Sequence, residues 1–131
     1  MSPPVRPRYA DLIRRLQDLD PRAADKAFDA LLFDREEAVP DIAAAYASWD
    51  LPPLVRRDLV QLLGFSECPG AVVPVEAALE DAAPVVRAEA CRSLVDLRSR
   101  ASLPWIRRRL KDLDPEVRGA ALDAVHTLGR K

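Results

Sequence analysis

The chain has 131 residues, 49% of them hydrophobic and 31% charged, and its formal net charge is −1. This length suits one domain, residues 1–131, built as a globular core or a short stack of repeats, and it is short for two independent domains. The near-zero charge excludes the general basic field that drives non-specific nucleic-acid binding, and four glycines in the whole chain favour helices over strands.

Few residues in the chain suit metal or redox chemistry. Cys68 and Cys91 stand far apart and His126 is the single histidine, so no spacing matches a zinc site. We therefore expect two reduced thiols, no metal and no cofactor. The N-terminal residues lack the apolar segment of a signal peptide, and no stretch reaches the roughly 18 apolar residues of a membrane span. These features predict a cytoplasmic protein that does not enter a membrane.

Four helical hairpins are predicted along the chain, each with a first helix, called A, and a second, called B. The hairpins occupy approximately residues 8–33, 39–64, 72–97 and 103–129. The A helices start near residues 8, 40, 74 and 104, and the B helices span residues 22–33, 54–63, 85–97 and 116–128. Apolar residues three or four positions apart, as in Tyr9, Leu12, Ile13 and Leu16, predict one buried face on each helix.

The B helices all open with the same short phrase, which begins with aspartate and has proline at its fourth position. The four aspartates are Asp18, Asp50, Asp81 and Asp112, and the steps between them are 32, 31 and 31 residues. Proline suits the first turn of a helix because its missing N–H would have no partner there. A hairpin of short helices cannot bury its apolar face alone, so a repeat of this period predicts a solenoid of stacked hairpins.

The pattern after the turn resembles a known repeat family. Asp, Pro or a small residue, Val-Arg, a small apolar pair and then Leu or Val recur in "DPEVRGAALDAVHTLG" and "APVVRAEACRSLVDL". This pattern is similar to the short HEAT-like repeats, the type also found in phycobilisome lyase subunits, and it extends over about residues 8–129. The resemblance implies an all-α, right-handed α-solenoid of about four hairpins. It also implies that the A helices lie outside and the B helices line a concave groove.

One arginine recurs at the same place in three repeats. The positions are Arg56, Arg87 and Arg118, which are 31 residues apart, and Ala24 takes their place in the first repeat. The resemblance implies a ladder that ties each repeat to its neighbour, in which these arginines pair with nearby turn aspartates, namely Asp50, Asp81 and Asp112. A partly buried guanidinium needs an acidic or carbonyl partner, which favours the same interpretation.

A strip along the B helices is the candidate binding surface. If Val117, Ala121, Ala124 and Leu128 face the core, the position four residues after the repeat arginine leans toward the groove. That position holds Phe28, Val60, Cys91 and Leu122, and the next holds Asp29, Gln61, Arg92 and Asp123. On the last helix His126 joins them. An apolar strip with polar flanks is typical of a protein-binding groove. The alternative is that the apolar members pack between neighbouring B helices.

A second candidate surface is basic. Residues 92–131 carry ten Lys or Arg against five Asp or Glu, whereas residues 1–91 carry ten against sixteen. The basic patch comprises Arg98, Arg100, Arg107, Arg108, Arg109 and Lys111. Such a patch could meet an acidic protein or a phosphate backbone. Consecutive helix positions point in different directions, so a solvated outer face is the alternative.

The last B helix leaves two possibilities open. Either Gly129, Arg130 and Lys131 cover its end with His126 as a cap, or this end docks against another chain. The first predicts a monomer, and the second predicts a weak oligomer formed through the C-terminal repeat.

Catalytic motifs are lacking. The chain has no Gly-rich phosphate loop and no Gly-x-Ser-x-Gly elbow, and its one histidine has no acidic neighbour. The sequence therefore predicts a non-enzymatic protein-binding scaffold or adaptor whose partner is another protein. One alternative is an enzyme-accessory or lyase-type HEAT protein. The other is nucleic-acid backbone binding through the basic C-terminal half, which the mixed charges of the B helices disfavour.

Overall fold

In the computed structural model, residues 4–130 are described, and all regular structure within them is helical. The α-helices are α1 Pro7–Arg15, α2 Pro21–Phe33, α3 Val39–Ser48, α4 Pro53–Phe65, α5 Val72–Ala78, α6 Pro84–Asp96, α7 Leu103–Arg108 and α8 Pro115–Leu128. Short 3-10 turns at Pro69–Ala71, Arg100–Ser102 and Arg109–Lys111 extend the two shortest A helices, α5 and α7.

The helices form four hairpins arranged in two layers. The A layer is α1, α3, α5 and α7, and the B layer is α2, α4, α6 and α8. Within the B layer, α6 packs along most of its length against both α4 and α8, whereas α2 meets α4 at few residues. The predicted all-α solenoid is confirmed.

The helix starts follow from local chemistry. Each B helix has proline in its first turn, one residue before the predicted start. At two of these starts an aspartate side chain caps the free amides. Asp20 accepts a hydrogen bond from the backbone N–H of Arg22 at 3.0 Å, and Asp114 accepts from those of Glu116 and Val117 at 2.9 and 3.2 Å. Such caps satisfy donors that the helix itself cannot pair.

A single hydrophobic core runs through all four hairpins, from Tyr9 in α1 to Leu128 in α8. Between α4 and α6 the two backbones approach closely because Gly64 has no side chain. A Cβ atom built there would lie 2.7 Å from the Cβ of Ser93. The Ser93 hydroxyl is fully buried and donates to the carbonyl oxygen of Val60 at 3.1 Å. The lack of a side chain at Gly64 therefore allows α4 and α6 to pack closely at this junction.

The repeat arginines reach forward to the next repeat. Arg56 binds Asp81 through two hydrogen bonds of 3.0 and 2.8 Å, and Arg87 binds Asp112 through two of 2.9 Å. The remaining Nη1 of Arg87 donates to the carbonyl oxygens of Asp81 and Ala82 in its own turn. Each of these arginines therefore connects its own turn with the following one. The pair with the following aspartate has the bidentate geometry that guanidinium and carboxylate favour.

Two members of the predicted ladder form no such pair. Asp50 is exposed, because the position that would supply its arginine is occupied by Ala24. Among residues 4–130, Arg118 donates only to the carbonyl oxygens of Asp112 and Leu113, at 2.8 and 3.0 Å. The first junction is held differently. Arg6, at the start of α1, binds the buried carboxylate of Asp41 in α3, with an Nη2–Oδ2 distance of 2.7 Å.

Both ladder carboxylates have pKa values below the ordinary range. Burial alone would raise the pKa of Asp81, but hydrogen bonds from Arg56 and Tyr46 outweigh it. The hydrogen bonds from Arg87 lower the pKa of Asp112. A carboxyl group with a lowered pKa in the folded state stabilises that state at pH values above its unfolded pKa, and this contribution is lost as pH falls through the folded pKa.

Replacing Arg87 with alanine should therefore lower the free energy of unfolding by about 2–3 kcal/mol at neutral pH, since it leaves the buried Asp112 carboxylate without its main partner. The difference from wild type should begin to shrink at about pH 4, the ordinary pKa of an unfolded aspartate, and should disappear as pH falls through the lowered pKa of folded Asp112. Urea unfolding at several pH values measures both effects. Arg118→Ala is the matched control, because Arg118 has no carboxylate partner among residues 4–130, and it should change stability by about 0.5 kcal/mol or less.

The two helical glycines Gly64 and Gly119 should respond oppositely to alanine. At Gly64 the new Cβ would collide with the Cα and Cβ of Ser93, so Gly64→Ala should destabilise the fold by about 1–3 kcal/mol. At Gly119 a Cβ meets nothing within 4 Å, so Gly119→Ala should stabilise it by about 0.5–1 kcal/mol through helix propensity. Thermal unfolding of the two variants beside wild type tests this, and equal shifts would contradict the described α4–α6 packing.

Candidate protein-binding face

Two grooves open between neighbouring B helices, and we call the surface that contains them the B-helix face. The larger groove lies between α6 and α8 and has a volume of about 470 Å³. Its lining comprises Arg92, Val95, Asp96, Glu116, Gly119, Ala120, Asp123, Ala124 and Thr127. Gly119 leaves its floor open, because no side chain projects there.

The smaller groove, of about 260 Å³, lies between α2 and α4. Its lining comprises Leu16, Ala24, Asp25, Phe28, Arg57, Asp58 and Gln61. It lies at the junction where Ala24 replaces the repeat arginine, so this groove coincides with the missing arginine–aspartate pair. At the junction between the two grooves, the close approach of Gly64 to Ser93 closes the gap between α4 and α6.

Carboxylates outnumber cations on the B-helix face. The linings of the two grooves contain the acidic residues Asp25, Asp58, Asp96, Glu116 and Asp123 and the basic residues Arg57 and Arg92. Both arginines are already engaged. Arg92 binds Glu116 at 3.3 Å and lies 3.9 Å from Glu89, and Arg57 lies 3.3 Å from Asp58. The face therefore presents net negative charge to a partner.

Burial acts on several of these acids. It raises the pKa values of Asp58, Glu89 and Asp96, because a carboxylate removed from water loses hydration that the protein replaces incompletely. A cationic group placed in the groove would restore that stabilisation. Perturbed carboxylates in a cleft are a common feature of binding sites.

The predicted apolar strip is not exposed along its whole length. Val60 and Cys91 are 0% exposed and lie inside the core between successive B helices. In these two repeats the neighbouring B helices cover the position completely. Phe28 is half-buried at the edge of the smaller groove, and Leu122 is 61% exposed. The alternative interpretation, packing between neighbouring B helices, therefore describes the middle two repeats.

The polar position one residue further along does face the grooves. Gln61 lines the smaller groove, and Arg92 and Asp123 line the larger one, while Asp29 is exposed on α2. His126 is exposed on the last turn of α8 and lies 2.8 Å from Arg130; Lys131, also expected at that end, lies outside the described residues.

The two cysteines are poor candidates for chemistry. Burial raises the pKa of the Cys91 thiol to about 11, which keeps it protonated and unreactive at neutral pH. Cys68 is half-buried and its Sγ lies 3.4 Å from the carbonyl oxygen of Ser66. Across residues 4–130 there is no group of three His, Cys, Asp or Glu side chains that could hold a metal ion.

The basic patch is divided between free and structural arginines. Arg109 belongs to the ladder region, where it contacts Asp112 at 3.3 Å and Glu80 at 3.6 Å with only 19% of its side chain exposed. Arg108 stacks on Trp105, with its guanidinium carbon 4.7 Å from the ring centre. The remaining members are exposed, namely Arg98, Arg100, Arg107 and Lys111. Arg109 is therefore less accessible to a partner than the other members of the predicted basic patch.

Sequence reasoning missed most of the acidic groove residues. Asp25, Asp58, Asp96 and Glu116 do not share one repeat position, so alignment of the repeats does not gather them. Gly119 was missed as well, although a glycine in the middle of an amphipathic helix is unusual enough to mark a site where space is needed.

Comparison with known proteins supports the helical-repeat fold. Residues 72–131, which span α5 to α8, match a family model described as HEAT repeats. The described structure is that of an α-helical solenoid, and its last two hairpins are similar to HEAT repeats. No curated protein matches the chain.

A solved structure shares the fold. It is the complex of CpcE and CpcF of phycocyanin lyase from Nostoc sp. PCC7120, with a TM-score of 0.55 and 20% sequence identity. The match covers 94% of this chain and 65% of that chain, so this chain spans less than two thirds of its length.

In the part of the chain that is described, no helix has the length and apolar character to cross a membrane.

The burial of Val60 and the exposure of Leu122 can be tested with the same substitution. Val60→Glu places a carboxylate in the core and should destabilise the fold by at least about 3 kcal/mol. Leu122→Glu, at the equivalent repeat position on α8, should change it by about 0.5 kcal/mol or less at low protein concentration. Urea unfolding followed by circular dichroism measures both, and a similar loss in the two variants would contradict the described burial.

Proposed function

We propose that this chain is a non-enzymatic protein-binding scaffold or adaptor, and that its B-helix face receives a basic segment of another protein. The observation that carries the proposal is the groove of about 470 Å³ between α6 and α8, with Asp96 and Asp123 on its walls and Gly119 on its floor. Asp96 and Asp123 form no ion pair among the described residues, so they are available to a cationic partner.

The scaffold offers this face already formed. The groove walls are two helices tied together by the Arg87–Asp112 pair and by a continuous core, so a partner would meet little ordering cost in the scaffold itself. An acidic face also selects its partner, because charge complementarity accelerates association with basic surfaces and opposes acidic ones. Rigidity and charge together are what an adaptor requires.

The packing of the layers supports a groove on the B side. The helices α4, α6 and α8 contact one another extensively, whereas contacts between successive A helices are sparse. In a curved stack the inner helices lie closer together than the outer ones. We therefore assign the B-helix face to the concave side of the solenoid, as the family resemblance implies.

An enzyme-accessory role is the second candidate, since the compared structure is a complex of two lyase subunits. That likeness concerns the fold, and we assign no lyase residue to this chain. Nucleic-acid binding ranks below both, because the carboxylates of the B-helix face would repel phosphates. A cytoplasmic location stays a prediction from the sequence.

The proposal predicts that reversing charge on the B-helix face abolishes partner capture. The variant Asp29→Arg/Asp96→Arg, immobilised beside wild type, should lose proteins that wild type retains from an extract of the native organism, identified by mass spectrometry. Both residues are exposed on B helices, so the fold should keep its stability within about 0.5 kcal/mol per substitution.

A matched control separates this effect from a general change of net charge. Glu36→Arg/Glu67→Arg makes the same charge change in exposed connections outside the two grooves, and it should retain the wild-type partners. Equal loss in both variants would contradict a role for the B-helix face, and retention in both would do so as well.

A further inference from the structure

The junction between α6 and α8 shows how one repeat receives the next. Arg87 donates through Nε and Nη2 to Asp112 at 2.9 Å, and Arg92 binds Glu116 at 3.3 Å. Between these two pairs, Cys91 is 0% exposed. This junction therefore includes two ion pairs and the buried side chain of Cys91.

The end of the stack beyond α8 carries one half of the same arrangement. At the equivalent positions, 31 residues later, stand Arg118, Leu122 and Asp123. The Nη1 of Arg118 is fixed on the carbonyl oxygens of its own turn at 2.8 and 3.0 Å, as that of Arg87 is. The Nε and Nη2 atoms, which Arg87 gives to a carboxylate, have no acceptor among residues 4–130. Leu122 is 61% exposed where Cys91 is fully covered.

The end of the stack before α1 and α2 carries the other half. Asp18 occupies the position of Asp112, and Arg22 occupies that of Glu116. Asp18 already accepts a hydrogen bond from the backbone N–H two residues later at 2.8 Å, as Asp112 does at 3.0 Å. Asp18 is exposed and forms no ion pair within the described part of the chain. It therefore has the orientation of a ladder carboxylate without the arginine.

A groove of about 410 Å³ opens at this end of the stack, between α1 and the start of α2. Its charged lining residues are Arg15, Asp20, Arg22 and Lys26, and its apolar ones are Leu12, Ala23 and Ala27. These three residues are the repeat equivalents of Ile106, Val117 and Ala121, which are all 0% exposed in the last hairpin. The receiving surface of a repeat is thus present at this end, with Leu12 and Ala23 partly exposed and Ala27 buried at its floor.

We propose that the two ends are complementary halves of one repeat junction, and that a second copy of this chain docks on the first, head to tail. Arg118 of one copy donates to Asp18 of the next, and Leu122 enters the groove lined by Leu12, Ala23 and Ala27. Asp123 of the first copy faces Arg22 of the second. This last pair reproduces the internal Arg92–Glu116 pair with its charges exchanged.

The charges favour this partner over an unrelated one. Each end alone has unpaired charge, but the acid of one end meets the base of the other at two separate repeat positions, and the apolar side chain meets the apolar groove between them. A contact that joins two different surfaces does not close on itself in a pair, so association continues as copies are added. Average mass should therefore rise steadily with concentration.

Sedimentation velocity over a wide concentration range tests the association directly. Wild type should shift to larger species as concentration rises. Arg22→Asp and Asp123→Arg each turn an attraction into a repulsion, and each variant alone should associate on the order of tenfold more weakly. A wild-type chain that stays monomeric at every concentration would overturn the proposal.

Mixing the two variants tests the specific pairing. In an equimolar mixture, the introduced arginine on α8 of one variant meets the introduced aspartate on α2 of the other, and the remaining ends are native. Association should return to the wild-type level, a result that only this head-to-tail register predicts. A mixture that associates no better than the separate variants would rule out the pairing.

Two controls keep the result interpretable. Asp29→Arg makes the same change at the same repeat position as Asp123, but inside the stack, and Arg98→Asp makes the change of Arg22→Asp in the exposed connection between α6 and α7. Neither should weaken association. All variants should keep the wild-type circular dichroism spectrum and melting temperature, which separates loss of docking from loss of folding.

Discussion

The forward pairing of arginine with the turn aspartate of the next repeat is the interaction on which the remaining structure depends. The carboxylate of Asp81 receives Arg56 from the preceding B helix, Tyr46 from the preceding A helix and the amide of its own turn. One side chain thus fixes the position of three elements at once. Because the contact recurs between Arg87 and Asp112, the last three B helices are joined in the same way, and their packing determines which positions are buried and which line a groove.

Much of the fold follows from residues whose effect is local. Proline in the first turn and aspartate before it act within a few residues, so the B helices begin within one residue of their predicted starts. The partner of each arginine was harder to predict. Periodicity brings both the aspartate of the same turn and that of the next turn into consideration, and only the stacking of two hairpins decides between them. Arg6 and Asp41 were invisible to repeat alignment because that pair occurs once.

The residues of the B-helix face were also only partly predictable from the sequence. Whether Val60 lies in a groove or in the core depends on the direction from which the next helix approaches, and helical periodicity within one repeat does not contain that direction. The adjacent positions Gln61, Arg92 and Asp123 were predicted beside it and do line the grooves. A rotation of about 100° along the helix separates a core residue from a contact residue, and this is finer than a sequence pattern resolves.

Ala24, in place of the repeat arginine, has a consequence for how the stack assembles. The three C-terminal hairpins share both arginine–aspartate pairs and the most extensive helix contacts, whereas the first hairpin is attached chiefly through Arg6 and Asp41 in the other layer. In a linear array of repeats the strongest junctions nucleate folding and the weakest one is completed last. The first hairpin is then the segment that opens most easily, so its amide hydrogens exchange with solvent ahead of those in α6.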